Sequence, residues 1–135
     1  MKYRILLSSL AALSLSGCGE PAEEPVEEAK LGDYSAIGTE PGWGVEIKDE
    51  TIAFTTQDGN DFSLPVYRMD KTGSGWEVKG FSDADNINIY ITSGETCSDG
   101  MSDRSYADTV KVEASKSGSL SGCGGAITEG PNGPP

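Results

Sequence analysis

Short segments in which apolar and polar residues alternate with a period of two fill most of the sequence, and turn-forming residues separate them. This alternation is typical of half-buried β-strands. Beyond residues 1–17, no segment shows apolar residues at helical spacing with caps. The clearest case is the pair of segments 43–48 and 52–55, which Asp49-Glu50 joins as a turn. The sequence therefore predicts an all-β domain.

About eight short strands are predicted, and Pro65 in the fourth indicates either an edge position or a bulge. Many short antiparallel strands are best accommodated by a closed barrel, which leaves no edge exposed. We therefore expect a small antiparallel β-barrel over residues 34–127. The predicted strands are 34–37, 43–48, 52–55, 62–66, 76–81, 87–92, 110–112 and 120–124. The predicted interior is Ile37, Trp43, Val45, Ile47, Ile52, Phe54, Leu64, Val66, Trp76, Val78, Ile87, Ile89, Ile91, Val110, Val112 and Leu120.

Residues 1–17 have the features of a signal peptide, because Lys2 and Arg4 precede an apolar run too short to remain as a membrane span. The end of this run, Leu15-Ser16-Gly17-Cys18, resembles the lipobox of bacterial lipoproteins. That resemblance implies acylation of Cys18, which becomes the new N-terminus. Gly19 after it implies location at the outer membrane, facing the periplasm. The alternative is an ordinary secretory signal that leaves Cys18 as a free thiol.

Both ends of the mature chain are predicted to lack structure. Residues 18–33 comprise the lipidated cysteine and an acidic, proline-containing tether, and residues 128–135 form a disordered tail. The formal charge of -12 becomes -14 when the two cations of the signal are removed. This charge argues against nucleic acid as a partner and favours a cationic protein, although it also serves simply to keep a small domain soluble.

The cysteine count points to one disulfide. Three cysteines are present, and lipidation of Cys18 leaves Cys97 and Cys123 as a pair. Such a bridge stabilises the domain by about 3.5 kcal/mol in the loop-closure description. A redox role is the alternative, but the pair lacks both Cys-x-x-Cys spacing and a basic neighbour. The sequence has no histidine, which excludes the Ser-His-Asp triad and the His-ligated zinc site.

Three motifs together resemble a family of small, functionally uncharacterised bacterial envelope lipoproteins. They are Gly38-Thr39-Glu40-Pro41-Gly42-Trp43, Cys97-Ser98-Asp99-Gly100-Met101-Ser102-Asp103-Arg104-Ser105-Tyr106 and Gly122-Cys123-Gly124. The resemblance implies class and location but carries no activity. In the first motif we expect a tight turn that brings Trp43 into the core, with Gly42 in a left-handed conformation.

The second motif supplies the candidate binding residues. A polar loop pinned by a disulfide is where binding residues usually lie on a barrel. The candidates are Asp99, Ser102, Asp103, Arg104 and Tyr106. Structural roles are the alternative: an Asx turn at Asp99, a plug of the barrel mouth by Met101, and an ion pair of Arg104 with Asp103 or Asp108.

Residues 102–106 also resemble the Ser-Gly-x-x-Tyr loop of the membrane-bound inhibitors of c-type lysozyme. That resemblance implies a loop that enters the lysozyme cleft, with Ser102 and Tyr106 as contacts. Asp103 replaces the glycine, and Lys116 with Gly118 only approximate the downstream Lys-Gly of that family. Inhibition of a c-type lysozyme is thus one version of a binding function.

The sequence favours non-catalytic binding through residues 98–106 over catalysis, and it predicts no catalytic residue, metal or cofactor. The alternative enzyme would use Asp99, Asp103 or Glu40 as a lone carboxylate, whereas general acid–base catalysis needs two groups with separated pKa values. Calcium ligands are conceivable at residues 58–61 and 83–88, but neither segment has the glycine and terminal glutamate of an EF-hand loop. We therefore interpret both segments as turns.

Overall fold

The computed structural model describes residues 17, 19 and 30–130. Residues 1–16 of the predicted signal peptide, Cys18 and most of the predicted tether lie outside the described residues, as do residues 131–135. The described residues include no helix of the length and hydropathy needed to cross a membrane.

Eight antiparallel strands form a closed barrel in which each strand pairs with the next and the last returns to the first. The prediction of a small antiparallel β-barrel is confirmed. The strands are β1 (Tyr34–Thr39), β2 (Gly42–Lys48), β3 (Thr51–Thr56), β4 (Phe62–Lys71), β5 (Gly75–Phe81), β6 (Asn86–Ser98), β7 (Ser105–Ala114) and β8 (Gly118–Thr128). Thr128, predicted to begin the disordered tail, is the last residue of β8.

The predicted interior residues fill most of the barrel. Among the described residues, the largest side chains that are almost wholly buried from solvent are Phe54, Ile52, Ile87, Ile89, Val78, Val110 and Val112. Val66 and Trp76 are only partly buried and pack against this core. Ile37 was predicted wrongly, since 37% of it is exposed. Tyr34 and Ala36 face inward instead. Successive residues of a strand point to opposite faces of the sheet, so a shift of one residue in the predicted phase exchanges the inward and outward residues.

The turn at Asp49-Glu50 is confirmed, and both residues have positive φ angles of 49° and 61°. Lys48 and Thr51 pair directly across it. Two left-handed residues in a two-residue loop match the right-handed twist of the flanking strands. At the β1–β2 turn the expectation for Gly42 was wrong, because Gly42 is not among the glycines with positive φ. Trp43 is nevertheless delivered to the core as predicted.

A bulge interrupts β4 at Tyr67, two residues after Pro65. Pairing of β4 with β3 ends at Pro65, and the register with β5 shifts between Val66 and Arg68. Pro65 itself pairs regularly with Thr51, so the predicted bulge lies near the proline and not at it. The bulge leaves Tyr67 as an extra residue on β4, and its side chain lies on the outer face of the barrel.

Strands β6, β7 and β8 are all irregular at one level. Ser93, Asp108 and Gly124 form one row across the three strands, whereas Cys97, Tyr106 and Ile127 form the next. Between the rows lie three residues of β6, one of β7 and two of β8. Gly94 and Gly125 supply positive φ angles of 107° and 80° within this interruption. Unequal insertions of this kind bend a sheet, so the strand ends beyond it form a separate extension of the barrel wall.

Two of the sequence motifs meet inside the barrel. A Cβ atom at Gly38 or at Gly122 would collide with the Trp43 ring. The glycines of the first and third motifs thus make room for the tryptophan of the first. This contact lies beside the β1–β8 seam, which is closed by only two residue pairs, Ala36 with Gly124 and Ile37 with Cys123.

Candidate functional site

The predicted disulfide is present between Cys97 of β6 and Cys123 of β8, whose Cα atoms are 5.5 Å apart. Cys123 pairs with Thr109 and with Ile37, which are both exposed on the outer face. Directly opposed residues share a face, so Cys123 also points outward. It is nevertheless buried and lies outside the core cluster. The disulfide therefore joins the extension of the wall to the outside of the barrel.

Residues 98–104, here called the strap, connect β6 to β7 beyond this disulfide. The Asp99 carboxylate organises the strap, because its Oδ1 accepts hydrogen bonds from the backbone N–H of Met101 at 2.9 Å and of Ser102 at 2.8 Å. Its Oδ2 accepts a third from the Ser102 hydroxyl at 2.7 Å. The Asx-turn alternative for Asp99 is thus confirmed. The two backbone hydrogen bonds, followed by that of the hydroxyl, lower the pKa of Asp99 below its ordinary value.

The hydroxyl of Ser102 is occupied within the strap. It donates to Asp99 and accepts a hydrogen bond from the backbone N–H of Arg104 at 3.2 Å. A partner that requires this hydroxyl as a hydrogen-bond donor must therefore first displace it from the Asp99 carboxylate.

Each half of the strap is held by a residue from elsewhere in the chain. The Thr39 hydroxyl, at the end of β1, donates to the Asp99 carbonyl oxygen at 3.2 Å. Arg104 pairs with Glu129, with 3.0 Å between Nε and Oε1. The prediction that Arg104 pairs with Asp103 or with Asp108 was therefore wrong. Glu129 follows β8 directly, and the bend places it next to the strap, where its carboxylate raises the pKa of Arg104.

Two further candidates differ from expectation. Tyr106 is only 5% exposed and lies outside the core cluster, so its ring is not available at the surface to a partner. Met101 does not plug the barrel mouth, because it lies on the outer wall and is 76% exposed. Asp103 is exposed in the strap.

A groove of about 480 Å³ runs between the strap and the β1–β2 turn. We call it the strap groove. Ile37 and the disulfide contribute apolar surface to its lining, and Glu40 and Asp99 contribute carboxylates. Met101 lines it from the strap side. The groove thus combines apolar surface with negative charge.

One buried polar pair was missed at the sequence level. The Tyr34 hydroxyl donates to Asp108 Oδ2 at 2.9 Å, and both side chains are buried. Burial, together with this hydrogen bond, raises the pKa of Tyr34. Asp108 occupies an inward position in register with Val110 and Val112, so the alternation of β7 could have revealed a buried carboxylate.

The described residues contain no group of three or more cysteine or acidic side chains arranged to hold a metal ion. In residues 58–61 and 83–88, two carboxylates have partners within the chain. Asp61 accepts a hydrogen bond from the backbone of Thr56, and Asp85 contacts Ser115 and Lys116.

Comparisons of the chain with protein-family models, with curated proteins and with solved structures find no match.

Proposed function

We propose that this chain is an envelope-anchored, non-catalytic binding protein that docks a cationic protein segment in the strap groove. The observation that carries the proposal is the internal order of the strap. A disulfide, the Asp99 turn, Thr39 and Glu129 all fasten it through contacts within the chain itself. A loop ordered in advance loses less conformational entropy on binding, which raises affinity.

Charge supports a cationic partner. Residues 30–130 contain 17 acidic and 8 basic side chains, a formal charge of -9. Several of the cations are already neutralised, since Arg104 pairs with Glu129 and Lys111 with Glu113. Glu40, which lines the strap groove, and Asp103, which belongs to the strap, are both exposed. Such a surface accelerates encounters with a basic protein and repels nucleic acid.

Catalysis by the strap has less support. A general acid needs a pKa raised toward neutrality, whereas the hydrogen bonds to Asp99 shift its pKa the other way and keep it ionised. An ionised carboxylate bound by three donors is suited to holding the strap in shape.

The anchoring part of the proposal depends on the lipobox-like sequence that ends at Cys18. A lipid on Cys18 and an acidic tether would hold the barrel near the outer membrane, where the motifs resemble those of envelope lipoproteins. Metabolic labelling with a radioactive fatty acid tests this step, and Cys18→Ala is expected to abolish incorporation. Incorporation that persists in this variant would reject the lipid anchor.

Inhibition of a c-type lysozyme is the second candidate, and the exposed acidic strap is the observation that favours it. The contact differs from the one that the family resemblance implies, because Ser102 is occupied and Tyr106 is buried. Glu40 and Asp103 are the groups left to meet a basic enzyme.

The proposal is tested by binding to a basic c-type lysozyme and to a panel of lysine- and arginine-containing peptides. The double variant Glu40→Gln/Asp103→Asn should weaken binding at least about tenfold, and added salt should weaken that of the wild type. Asp58→Asn/Asp83→Asn, which removes two exposed carboxylates elsewhere, is the matched control. Equal losses in both variants, or no binding to any probe, would reject the strap groove as the site. Binding with unchanged lysozyme turnover would reject inhibition alone.

A further inference from the structure

We propose that the outer face of β4, β5 and β6 is a second binding site, which takes a neutral oligosaccharide by stacking sugar rings on Tyr67 and Phe81. Both side chains are large, aromatic and strongly exposed, at 75% for Tyr67 and 60% for Phe81. They line the same shallow hollow of about 380 Å³, a volume within the usual range of small-molecule sites.

Alternation along β4 turns Tyr67 outward, because Leu64 is buried and Val66 packs against the core. The register with β5 shifts between Val66 and Arg68, so Tyr67 is the residue without a direct partner. Bulges of this kind are common beside functional sites. Tyr67 thus lines the solvent side of the hollow to which Phe81 contributes from β5.

Two asparagine side chains line the hollow together with the rings of Tyr67 and Phe81. Phe81 lies directly opposite Asn86, and Lys79 lies directly opposite Asn88. Asn86 is exposed and Asn88 is half-buried, and both line the hollow. A sugar ring has an apolar C–H face and a rim of hydroxyl groups. Aromatic faces bind the former, and amides, which both donate and accept hydrogen bonds, bind the latter.

The charge of this surface favours a neutral ligand. Among the residues that the structure describes, no acidic side chain lines the hollow, although the domain as a whole is acidic. Its one cation, Lys79, pairs with Glu77 at 2.9 Å. The surface therefore has neither the positive excess that an anionic ligand requires nor the negative excess that a cationic one requires.

The size of the surface argues against a second copy of the chain as the occupant. Two aromatic side chains at these exposures present roughly 250 Å². A stable protein interface buries about 800 Å² on each partner. Two rings with polar neighbours suit one or two sugar units better than a protein face.

This site is independent of the strap groove. In the closed order of strands, β5 lies across the barrel from β1, and the strap groove lies at the β8–β1 seam. The two surfaces thus face in different directions, and loss of one function leaves the other measurable.

The experiment is a titration of isotope-labelled full-length protein with chitotetraose, cellotetraose and maltotetraose, followed by backbone amide NMR. A zwitterionic detergent without a sugar headgroup keeps the lipidated chain in solution. Saturable shifts are expected at Tyr67, Phe81 and Asn88 with at least one of the probes, and the affinity should be independent of salt. Tyr67→Ala and Phe81→Ala should each weaken binding at least about tenfold, which is the loss of one stacked ring.

Tyr67→Phe keeps the ring and should retain most of the affinity, whereas Ile127→Ala removes exposed apolar surface elsewhere and should have no effect. Unchanged melting temperatures in the two alanine variants show that the fold is intact. Absence of saturable shifts with all three probes would overturn the proposal. So would shifts at these residues that follow protein concentration without sugar, since they would identify a surface between copies.

Discussion

The barrel body and the strap region are stabilised by different means. In the body, inward-facing aliphatic and aromatic side chains form one continuous core. The strap has Met101 as its one large apolar side chain, and that side chain is exposed. Its order comes from a disulfide, a carboxylate-centred turn and contacts with Thr39 and Glu129. A segment too polar to bury itself can still be rigid when it is attached to a surface that is already folded.

Because the two regions are stabilised differently, mutations in them should have different effects on unfolding. Loss of core packing removes free energy from the whole cooperative unit, whereas loss of a strap contact releases a segment and leaves the barrel folded. A binding segment can therefore vary without unfolding its support.

The strongest test of this contrast is truncation of the core. Phe54→Ala should lower the free energy of unfolding by about 3–5 kcal/mol, because Phe54 is almost wholly buried and its removal leaves a cavity. Phe81→Ala makes the same chemical change on the outer face and should stay within about 0.5 kcal/mol of the wild type. Urea denaturation measures both. Similar losses in the two variants would contradict the assignment of the core.

Removal of the disulfide should destabilise the chain next most strongly. Cys97→Ala/Cys123→Ala should lower the free energy of unfolding by about 3.5 kcal/mol, the loop-closure value for the separation of 26 residues. Reduced wild type serves as the control for the missing sulfur atoms. Hydrogen exchange should accelerate at Met101 and Ser102 well before it does at Ile89. Equal acceleration at all three amides would show that the strap and the body are one unit.

The buried Tyr34–Asp108 pair should give a smaller effect. Tyr34→Phe leaves the Asp108 carboxylate without its donor and should cost about 1–3 kcal/mol. Tyr67→Phe removes an exposed hydroxyl and should cost almost nothing. Thermal unfolding of the two variants compares them directly, and equal melting temperatures would contradict a stabilising role for the pair.

The same pair predicts an alkaline limit to stability. Burial raises the pKa of Tyr34 in the folded chain, so above the ordinary value of about 10 the unfolded chain releases this proton more readily. The stabilisation is therefore complete below that pH and is lost as the pH rises through the folded-state value. Tyr34→Phe should remove this component of the pH dependence, and urea denaturation at several alkaline pH values measures it.

The smallest effect is expected at Asp99 and should be confined to the strap. The pKa of Asp99 is lowered from its ordinary value of 3.8, so its contribution is present above that pH and is lost as the pH falls through the folded-state value. The amide resonance of Ser102 should titrate with a midpoint below 3.8, and Asp99→Asn should abolish that step. A midpoint at or above the ordinary value would contradict the hydrogen-bonded turn.

The sequence predicted the barrel because its fold depends on a repeated local pattern. In each segment, the alternation of apolar and polar residues indicates which side chains face the core. The turn at Asp49-Glu50 fixes the register of the two strands that it joins. The error at Ile37 has the same origin. In the short segment 34–37, apolar residues occur in both phases of the alternation, and the structure turns Tyr34 and Ala36 inward and Ile37 outward.

The candidate site was less predictable. The Asp99 turn involves residues two and three positions away, so a local pattern suggested it. The partners of Arg104 and of Asp99 from outside the strap are 25 and 60 residues away, and no spacing in the sequence indicates them. Tyr67 and Phe81 lie on different strands, and only the pairing of β4 with β5 brings them to one hollow.

By itself the sequence determined a period of two, the turns, the pairing of the two remaining cysteines and the acidity, because each of these properties belongs to residues close in the chain or to their count. Only the tertiary structure decided that β6, β7 and β8 bend at one level, that the strap lies against the outside of the wall, and that Glu129 and Thr39 hold it there. The physical reason is that barrel closure brings together strands distant in the chain, and contacts between them depend on register and bulges that no single segment encodes.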